Sequence, residues 1–319
     1  MMLPLTVSPP IAAALAEGRP VVALESTLLA HGLPWPHNRD TLQEMQAAVL
    51  EGGGEPAIVG ISAGRLIIGL DNEQVEFFAR NGREIVKVSR RDMAAVLARG
   101  HHGATTVAAT MIAAARAGIR VFATGGIGGV HRDHDPRATN FDVSADLYEL
   151  ARTPVCVVSS GAKSILDLPR TLEMLESLGV PVVGYGTRSF PSFYSHDGDL
   201  PVRHSVETAE DAARLLLLQS EFGLGGMLLA NPVPEKAAIP SAQVESWLKD
   251  ALALAEQQSI SGTAVTPFLL AQLHHRSSGR TLNANRALLV ANARLAAEVA
   301  AALSKLDRPK SFPRAPSPD

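Results

Sequence analysis

The 319-residue sequence contains one cysteine, few aromatic residues and almost no excess of charge. Because Cys156 has no partner for an internal disulfide, we expect a protein of a reducing compartment. The 29 basic and 32 acidic residues give a formal net charge of -3, which argues against an electrostatic grip on nucleic acid or an anionic membrane. A chain of this length buries about 75% of its unfolded surface, so its fold needs no disulfide or structural metal.

Long apolar segments are also missing. The apolar run from Val107 is interrupted at Arg116, short of the roughly 18 residues that span a membrane. Residues 1–13 lack the basic region that precedes the apolar stretch of a secretory signal. We therefore expect a soluble cytoplasmic protein with no membrane partner.

What the sequence does have is an alternation of apolar, strand-like runs and helical patterns. Residues 21–24 form a continuous apolar run, and Asp71 with Gln74 three residues later predicts a capped helix start. The alternation predicts an α/β/α layered domain with a largely parallel central sheet. No Gly-, Ser- or Pro-rich linker precedes Asp307, so we expect a single domain over residues 1–306 and a mobile Pro-rich tail over residues 307–319. A two-lobed version of the same fold stays open.

Polar residues follow several of the apolar strands directly. They are Glu25, Lys87, the glycine-rich turn at residues 125–129, the segment 159–163 and Asn231. In an open parallel sheet the carboxyl ends of the strands share one edge, and ligands bind in the crevice there. These residues should therefore converge although they are distant in sequence.

Two of these positions carry ionisable groups suited to catalysis. Lys163 lies between a strand and the start of a helix predicted over residues 165–178, whose positive end would favour a neutral, nucleophilic amine. A surface lysine with a solvated tip is an equally good interpretation. Burial in the crevice would raise the pKa of Glu25 and so favour the protonated form that a general acid needs. The simpler alternative is a carboxylate that caps a helix or pairs with an arginine.

Two further segments could bind an anion. Residues 87–92 (KVSRRD) form a basic cluster at a strand-to-helix turn, which suits a phosphate monoester or, alternatively, a solvated helix start. The turn at residues 125–129 does not match the dinucleotide-binding fingerprint, and it serves either close approach of an anion or tight packing.

Carboxylates and imidazoles follow the glycine-rich turn. This stretch contains His131, Asp133, His134, Asp135, Asp142 and Asp146. Oxygen ligands of this kind suit Mg²⁺ or Mn²⁺. The single cysteine and the absence of a His-x-x-x-His spacing argue against zinc.

Several longer motifs resemble the pseudouridine-5'-phosphate glycosidase family, which includes the indigoidine synthase A-like proteins. They are VALEST at 22–27, AHG at 30–32, KVSRRD at 87–92, GATTVA at 103–108, FATGGIGGVHR at 122–132, FDVSADL at 141–147, GAKSILDL at 161–168, NPVPE at 231–235 and TPFLL at 266–270. The resemblance extends from Val21 to about Glu298. The segment 133–140 departs from it, since it is longer and more charged than the family's loop, which leaves the role of His134 open.

The resemblance implies an enzyme that reversibly cleaves the C–C glycosidic bond of pseudouridine 5'-phosphate to uracil and ribose 5-phosphate. It also implies a divalent cation, commonly Mn²⁺, and a homotrimer. By matching positions, it makes Lys163 the nucleophile that holds the opened ribose, Glu25 the acid/base and Asp142 the metal ligand. The implied substrate-binding residues are Lys87, Thr106, Val107, His131, Ser144, Ala145, Asp146 and Asn285.

The chemistry agrees with this assignment. A C–C glycosidic bond has no leaving oxygen to protonate, so a pair of flanking carboxylates is insufficient. An amine that traps C1' of the opened sugar provides an electron sink instead. Two alternatives stay open: a Schiff-base lyase acting on another sugar phosphate, and a catalytically silent accessory protein of pigment biosynthesis.

Overall fold

A computed structural model describes residues 4–132, 142–196, 198–258, 260 and 265–307, with the side chains of residues 266 and 267 excepted. Within these residues the chain forms an eleven-stranded sheet and a separate two-stranded pair. The strands are β1 (Leu5–Val7), β2 (Val21–Glu25), β3 (Glu55–Ser62), β4 (Arg65–Ile68), β5 (Val86–Val88), β6 (Gly103–Thr105), β7 (Val121–Ala123), β8 (Val130–His131), β9 (Cys156–Ser159), β10 (Leu166–Asp167), β11 (Val182–Tyr185), β12 (His204–Val206) and β13 (Met227–Ala230).

The large sheet is mostly parallel. Its order is β1-β4-β3-β2-β7-β9-β13-β11-β12, and β6 joins β5 to β3 away from this path. The run from β3 to β12 is parallel throughout, whereas β4 and β6 lie antiparallel to β3. The central strands β7, β9 and β13 are fully buried, as expected of a parallel sheet covered on both faces. The fold class predicted from the sequence is confirmed.

Helices flank this sheet. The α-helices are α1 (Pro9–Ala16), α2 (His37–Glu51), α3 (Asn72–Arg80), α4 (Met93–Ala98), α5 (Val107–Arg116), α6 (Ala145–Leu150), α7 (Leu168–Ser177), α8 (Ala209–Glu221), α9 (Ser241–Gln257), α10 (Val265–Arg276) and α11 (Arg280–Leu306). Asp71 and Gln74 form the predicted capping box at the start of α3. A π-helical turn, Leu28–Gly32, follows β2, and a 3-10 turn, Glu235–Ala237, follows β13.

Helix α11 is the longest and lies in the core. It packs on β2, β7 and β9, with α2 and α8 beside it, while α5 packs on β2, β3 and β7 with α6 beside it. By length and composition alone α11 could cross a bilayer, but 61% of its most apolar window is buried within the fold. Its apolar character is therefore that of a core helix.

Two boundaries differ from the sequence-based expectations. The helix predicted over residues 165–178 begins only at Leu168, after the short strand β10, so Pro169 lies in its first turn and does not bend it. Asp307, the first residue of the expected tail, follows α11 directly and pairs with Arg120. The rest of that tail, residues 308–319, lies outside the described residues, as do residues 133–140 with His134. The single-domain boundary stays a prediction.

Candidate active site

Strand register brings Glu25 to the carboxyl edge of the sheet. Leu24 is paired with Ala123 of β7, and Ala123 with Val158 of β9, so the next residues of the three strands lie at one level. The Glu25 carboxylate, only partly exposed, accepts hydrogen bonds from the hydroxyls of Thr27 and Thr124. Within the described part of the chain, the carboxylate is thus oriented by two neutral donors and not by an arginine.

Lys87 reaches the same level by a different route from the one expected. Its strand, β5, runs parallel to β6, and β6 is antiparallel to β3, so the shared-edge rule for parallel strands does not apply to it. Register nevertheless aligns Lys87 with Ala104, and Ala104 with Gly60, one residue beyond the partner of Glu25 on β3. Since β4 occupies the other edge of β3 at these residues, β6 continues the edge that β2 occupies, and Lys87 on β5 lies beside the end of β2 at Glu25.

The electrostatics of Lys87 indicate which groups surround it. Its pKa lies below the usual value of 10.5, first because of desolvation and second because of the positive charge of Lys163. The carboxylates of Glu25 and Asp146 act in the opposite direction. The Lys87 side chain is exposed to solvent. Its lowered pKa therefore reflects the charged groups around it as well as partial desolvation. Four of the predicted residues thus share one neighbourhood.

Lys163 lies on a tight connection after β9. Its backbone N–H donates to the carbonyl of Ile127 at 3.1 Å, and Gly161 adopts a φ of +77°, which a residue with a side chain would resist. A Cβ on Gly161 would also collide with the carbonyl oxygen of Pro191. The argument that a helix start disfavours the ammonium form of Lys163 is wrong, because α7 begins five residues later, at Leu168.

The glycine-rich turn is a packing element that also binds a carboxylate of the protein itself. A Cβ on Gly126 would lie 2.7 Å from two ring carbons of Phe193, which is a severe clash. The N–H of Gly128 donates to Asp146 Oδ2 at 2.8 Å, and Ala108 N–H of α5 donates to Asp146 Oδ1 at 2.9 Å. Asp146, 6% exposed, therefore ties the turn to the start of α5.

Thr106 and Val107 lie at the start of α5, beside the Glu25 strand. Thr105 N–H donates to the hydroxyl of Ser26 at 2.9 Å, which connects β6 to the residue after Glu25. The side chain of Val107 is 2% exposed and belongs to the core, so it is not available to a ligand.

Three buried hydroxyls have no hydrogen-bond partner within the described part of the chain. They belong to Thr106, Ser164 and Ser195. Thr106 and Ser164 flank the site, and Ser164 directly follows Lys163. Since an unpaired buried hydroxyl costs free energy, such groups are typical of surfaces that a ligand completes.

His131 and Asp142 lie beside the Lys163 connection. His131 is paired with Leu166 across the β8–β10 ladder, and His131 Nε2 is 3.9 Å from Asp142 Oδ2. Asp142 is exposed, with 61% of its side chain accessible. No group of three or more His, Cys, Asp or Glu side chains in the described residues is placed to hold a metal. A single carboxylate here suits a cation that keeps most of its waters.

The remaining predicted residues surround the glycine-rich turn. Ser144 is the N-cap of α6, and its hydroxyl accepts from Asp146 N–H at 3.2 Å. Ala145 is the first residue of that helix. Asn285 lies on α11, and a Cβ on Gly125 would be 3.5 Å from its Oδ1. All the sequence-predicted residues are therefore on elements that meet at this end of the sheet.

The charged residues of the basic cluster at 87–92 have different partners. Arg90 NH1 lies 2.5 Å from Oε2 of Glu149, whose side chain is 1% exposed. Arg91 is 87% exposed and lies 3.6 Å from Asp92. Arg90 is thus the partner of a buried carboxylate, and only Lys87 of this cluster faces the groups of the site.

Sequence reasoning missed three residues of the site. His31, on the π-helical turn, has a pKa lowered by desolvation and then by the Lys87 charge, so it lies near Lys87. The AHG motif was the only signal for it. Thr124 and Asn292 carry hydrogen bonds between strand ends, and nothing in the spacing of single residues indicates that.

The chain matches the family model described as indigoidine synthase A-like protein over residues 10–302. It is 51% identical over 305 residues to a pseudouridine-5'-phosphate glycosidase of Jannaschia sp., covering 95% of this chain and 100% of the relative. It is 49% identical over 302 residues to that of Sorangium cellulosum, covering 95% and 94%. The crystal structure of a prealnumycin C-glycosynthase in complex with ribulose 5-phosphate superposes with a TM-score of 0.88 at 43% identity, covering 96% of this chain and 98% of that one.

The family match spans nearly the whole chain, and the relatives are covered along nearly their full length. The predicted resemblance is confirmed, and the chain belongs to the indigoidine synthase A-like family.

Proposed function

We propose that this protein is a pseudouridine-5'-phosphate glycosidase, which reversibly cleaves the C–C glycosidic bond to give uracil and ribose 5-phosphate. The observation that carries the proposal is the meeting of one carboxylate, Glu25, and two lysines, Lys87 and Lys163, at one sheet edge. Full-length relatives at about half identity bear this name.

Lys163 acts as the nucleophile in this proposal. Its neutral amine attacks C1' while the C1'–O4' bond breaks, and a proton passes from the amine nitrogen to O4', which gives an open-chain ribose bound to the lysine. In the cleavage direction a proton is delivered to the uracil carbon, and the electron pair of the C–C bond remains with the base. The lysine-bound iminium accepts the positive charge, and water then releases ribose 5-phosphate.

Glu25 is placed to move the protons of this sequence. Its carboxylate is held by the hydroxyls of Thr27 and Thr124 at the level of the β9 strand end, from which the Lys163 connection starts. As an acid it protonates the departing base, and as a base it takes the same proton back in synthesis.

The phosphate anchor is Lys87, supported by the backbone at Thr106 and Val107. A dianionic phosphate offsets the cost of desolvating the Lys87 ammonium group, so its binding favours the charged form of Lys87. Binding energy gained at the phosphate can then position C1' at the amine.

A divalent cation, with Mn²⁺ as the first candidate, is proposed at Asp142. The single exposed carboxylate, with His131 beside it, fits an ion that is mostly hydrated. When bound, such an ion would neutralise negative charge on the substrate. Asp142→Asn should weaken Mn²⁺ binding at least about tenfold in titration calorimetry. Unchanged binding would exclude this carboxylate as a ligand.

Two further properties are part of the proposal. We infer a homotrimer, which light scattering of the purified protein would detect by its mass. We also infer a cytoplasmic location, which suits the unpaired thiol of Cys156.

A second candidate function has a specific observation in its favour. The prealnumycin C-glycosynthase, 43% identical to this chain, was crystallised with a pentulose 5-phosphate. The same site could therefore join a sugar phosphate to a carbon nucleophile other than uracil. The relatives named as glycosidases are more similar, at 49% and 51% identity, so uracil is the first base to test.

The deciding experiment combines synthesis and trapping. The protein is incubated with uracil, ribose 5-phosphate and Mn²⁺, and pseudouridine 5'-phosphate is measured. In parallel, ribose 5-phosphate and borohydride are added without uracil, and the modified lysine is mapped. We expect product and a ribose adduct on Lys163, and neither with Lys163→Ala. An adduct without product would favour the second candidate, whereas an adduct on another lysine would remove Lys163 from the mechanism.

A further inference from the structure

Asn292 is a fully buried polar side chain among apolar residues of helix α11. It has no exposed surface, and its neighbours on α11 include Leu288, Leu289 and Leu295, which belong to the core. A buried amide costs free energy unless its groups are paired. Its hydrogen bonds therefore account for its presence at this position.

The hydrogen bonds of Asn292 define how its amide is turned. Nδ2 donates to the carbonyl of Thr124 at 2.8 Å and to the hydroxyl of Ser160 at 3.2 Å. Because a carbonyl only accepts, the atom facing Thr124 must be the nitrogen. Oδ1 consequently faces Asn231, whose Nδ2 donates to it at 3.0 Å. Asn231 thus fixes the orientation of Asn292.

Each of these three partners is the first residue after one of three neighbouring strands. Thr124 follows β7, Ser160 follows β9 and Asn231 follows β13. Two of them lead directly to the reacting groups. The Thr124 hydroxyl donates to Glu25, and Ser160 begins the connection that ends at Lys163.

We propose that Asn292 is a positioning residue that fixes the acid/base and the nucleophile relative to each other. It touches neither reacting group. Nδ2 of Asn292 donates to the carbonyl of Thr124, whose hydroxyl donates to Glu25. The same nitrogen donates to the hydroxyl of Ser160, where the connection to Lys163 begins. A shift of either segment would misplace one reacting group against the other. This inference rests on the proposed function, since it assigns Glu25 and Lys163 their roles.

The test compares Asn292→Ala with two matched variants of the same helix. Leu295→Ala removes buried contacts outside the network and serves as the control for lost stability. Asn283→Ala removes an exposed asparagine and serves as the control for the substitution itself. The readouts are kcat and KM in pseudouridine 5'-phosphate synthesis, the rate of borohydride-trapped adduct formation without uracil, and the melting temperature.

We expect Asn292→Ala to lower kcat by about 10²-fold, because displacements of about 1 Å cost that much. KM for ribose 5-phosphate should change by less than about threefold, since Lys87 is not part of the network. Leu295→Ala should lower the melting temperature by about as much as Asn292→Ala does and keep kcat within about twofold of wild type. Trapping should also slow in Asn292→Ala, because the Lys163 connection loses its support.

Asn231→Ala is the second variant, at a less buried position, and it decides the question if Asn292→Ala does not fold. It should lower kcat by about tenfold, and adding it to Asn292→Ala should change kcat less than about twofold, because Asn231 acts through Asn292. Equal kcat values for Asn292→Ala and Leu295→Ala, or a full kcat for Asn231→Ala, would overturn the inference. A wild type that forms neither product nor adduct would overturn the proposed function itself.

Discussion

Replacing Asp146 by asparagine tests whether this residue is chiefly a structural brace. The family resemblance implies a substrate contact, but both carboxylate oxygens already accept backbone N–H groups, from Ala108 at 2.9 Å and from Gly128 at 2.8 Å. The side chain is 6% exposed. Asparagine keeps one acceptor oxygen, so one of the two N–H groups would face another donor.

The magnitude follows from these contacts. A hydrogen bond to a charged group is worth about 1.5 to 3 kcal/mol, and Asp146→Asn loses one such bond and weakens the other. The negative charge at the start of α5 adds about 0.5 kcal/mol. The sum is about 3 kcal/mol. For 319 residues the entropy of unfolding is about 0.7 kcal/mol per kelvin, so the melting temperature should fall by about 4 to 5 °C.

Calorimetry or circular dichroism would measure this change. Ser144→Ala is the matched control, since it removes only the N-cap hydroxyl of α6 and should cost about 1 kcal/mol, or about 1.5 °C. If Asp146 served only to bind substrate, Asp146→Asn would raise KM and leave the melting temperature unchanged. A shift of less than about 1 °C would therefore refute the assignment of Asp146 as a brace.

Three shorter predictions concern charged and buried groups. Lys87→Met should raise the melting temperature near about pH 7, because the lowered pKa of Lys87 means that the fold disfavours its charged form; the gain should fade towards about pH 10, where that form is lost, and KM for ribose 5-phosphate should rise. Arg90→Ala should destabilise the protein by about 2 kcal/mol with KM unchanged, because the buried Glu149 loses its ion-pair partner and keeps the Thr153 hydroxyl, and Glu149→Gln added to it should restore part of the loss. Cys156, whose pKa burial raises to about 12, should react with iodoacetamide only as fast as the protein unfolds, and rapid labelling of the native protein would contradict this.

The part of the site that could be predicted from the sequence depends on one rule of parallel sheets. Glu25, the segment before Lys163 and Asn231 each follow an apolar strand, and those strands lie close together in the sheet, as β2, β9 and β13. Because parallel strands end at a common edge, a polar residue after each strand reaches that edge without any further information. The rule needs only the strand positions.

The rule fails where a strand runs antiparallel to its neighbour, or where a short strand precedes the helix expected after a parallel strand. Lys87 reaches Glu25 only because β6 pairs antiparallel with β3, and strand pairing between distant segments is not encoded in local composition. The helix start expected beside Lys163 was displaced by β10, a strand of two residues whose partner, β8, lies beyond the glycine-rich turn. Short strands of this kind form through tertiary contacts, and they leave no periodicity to read.

The site also depends on a helix that contributes no predicted catalytic group. Asn285 and Asn292 are seven residues apart on α11, which is two turns, so they face the strand ends on the same side of the helix. Asn285 lies near Gly125, and Asn292 bonds Thr124 directly before it. Helix α11, which otherwise packs in the core, thus contacts the strand ends through one side that carries Asn285 and Asn292. Changes at Asn292 should alter turnover before they alter binding, because Asn292 supports the segments that carry the reacting groups and not the phosphate anchor at Lys87.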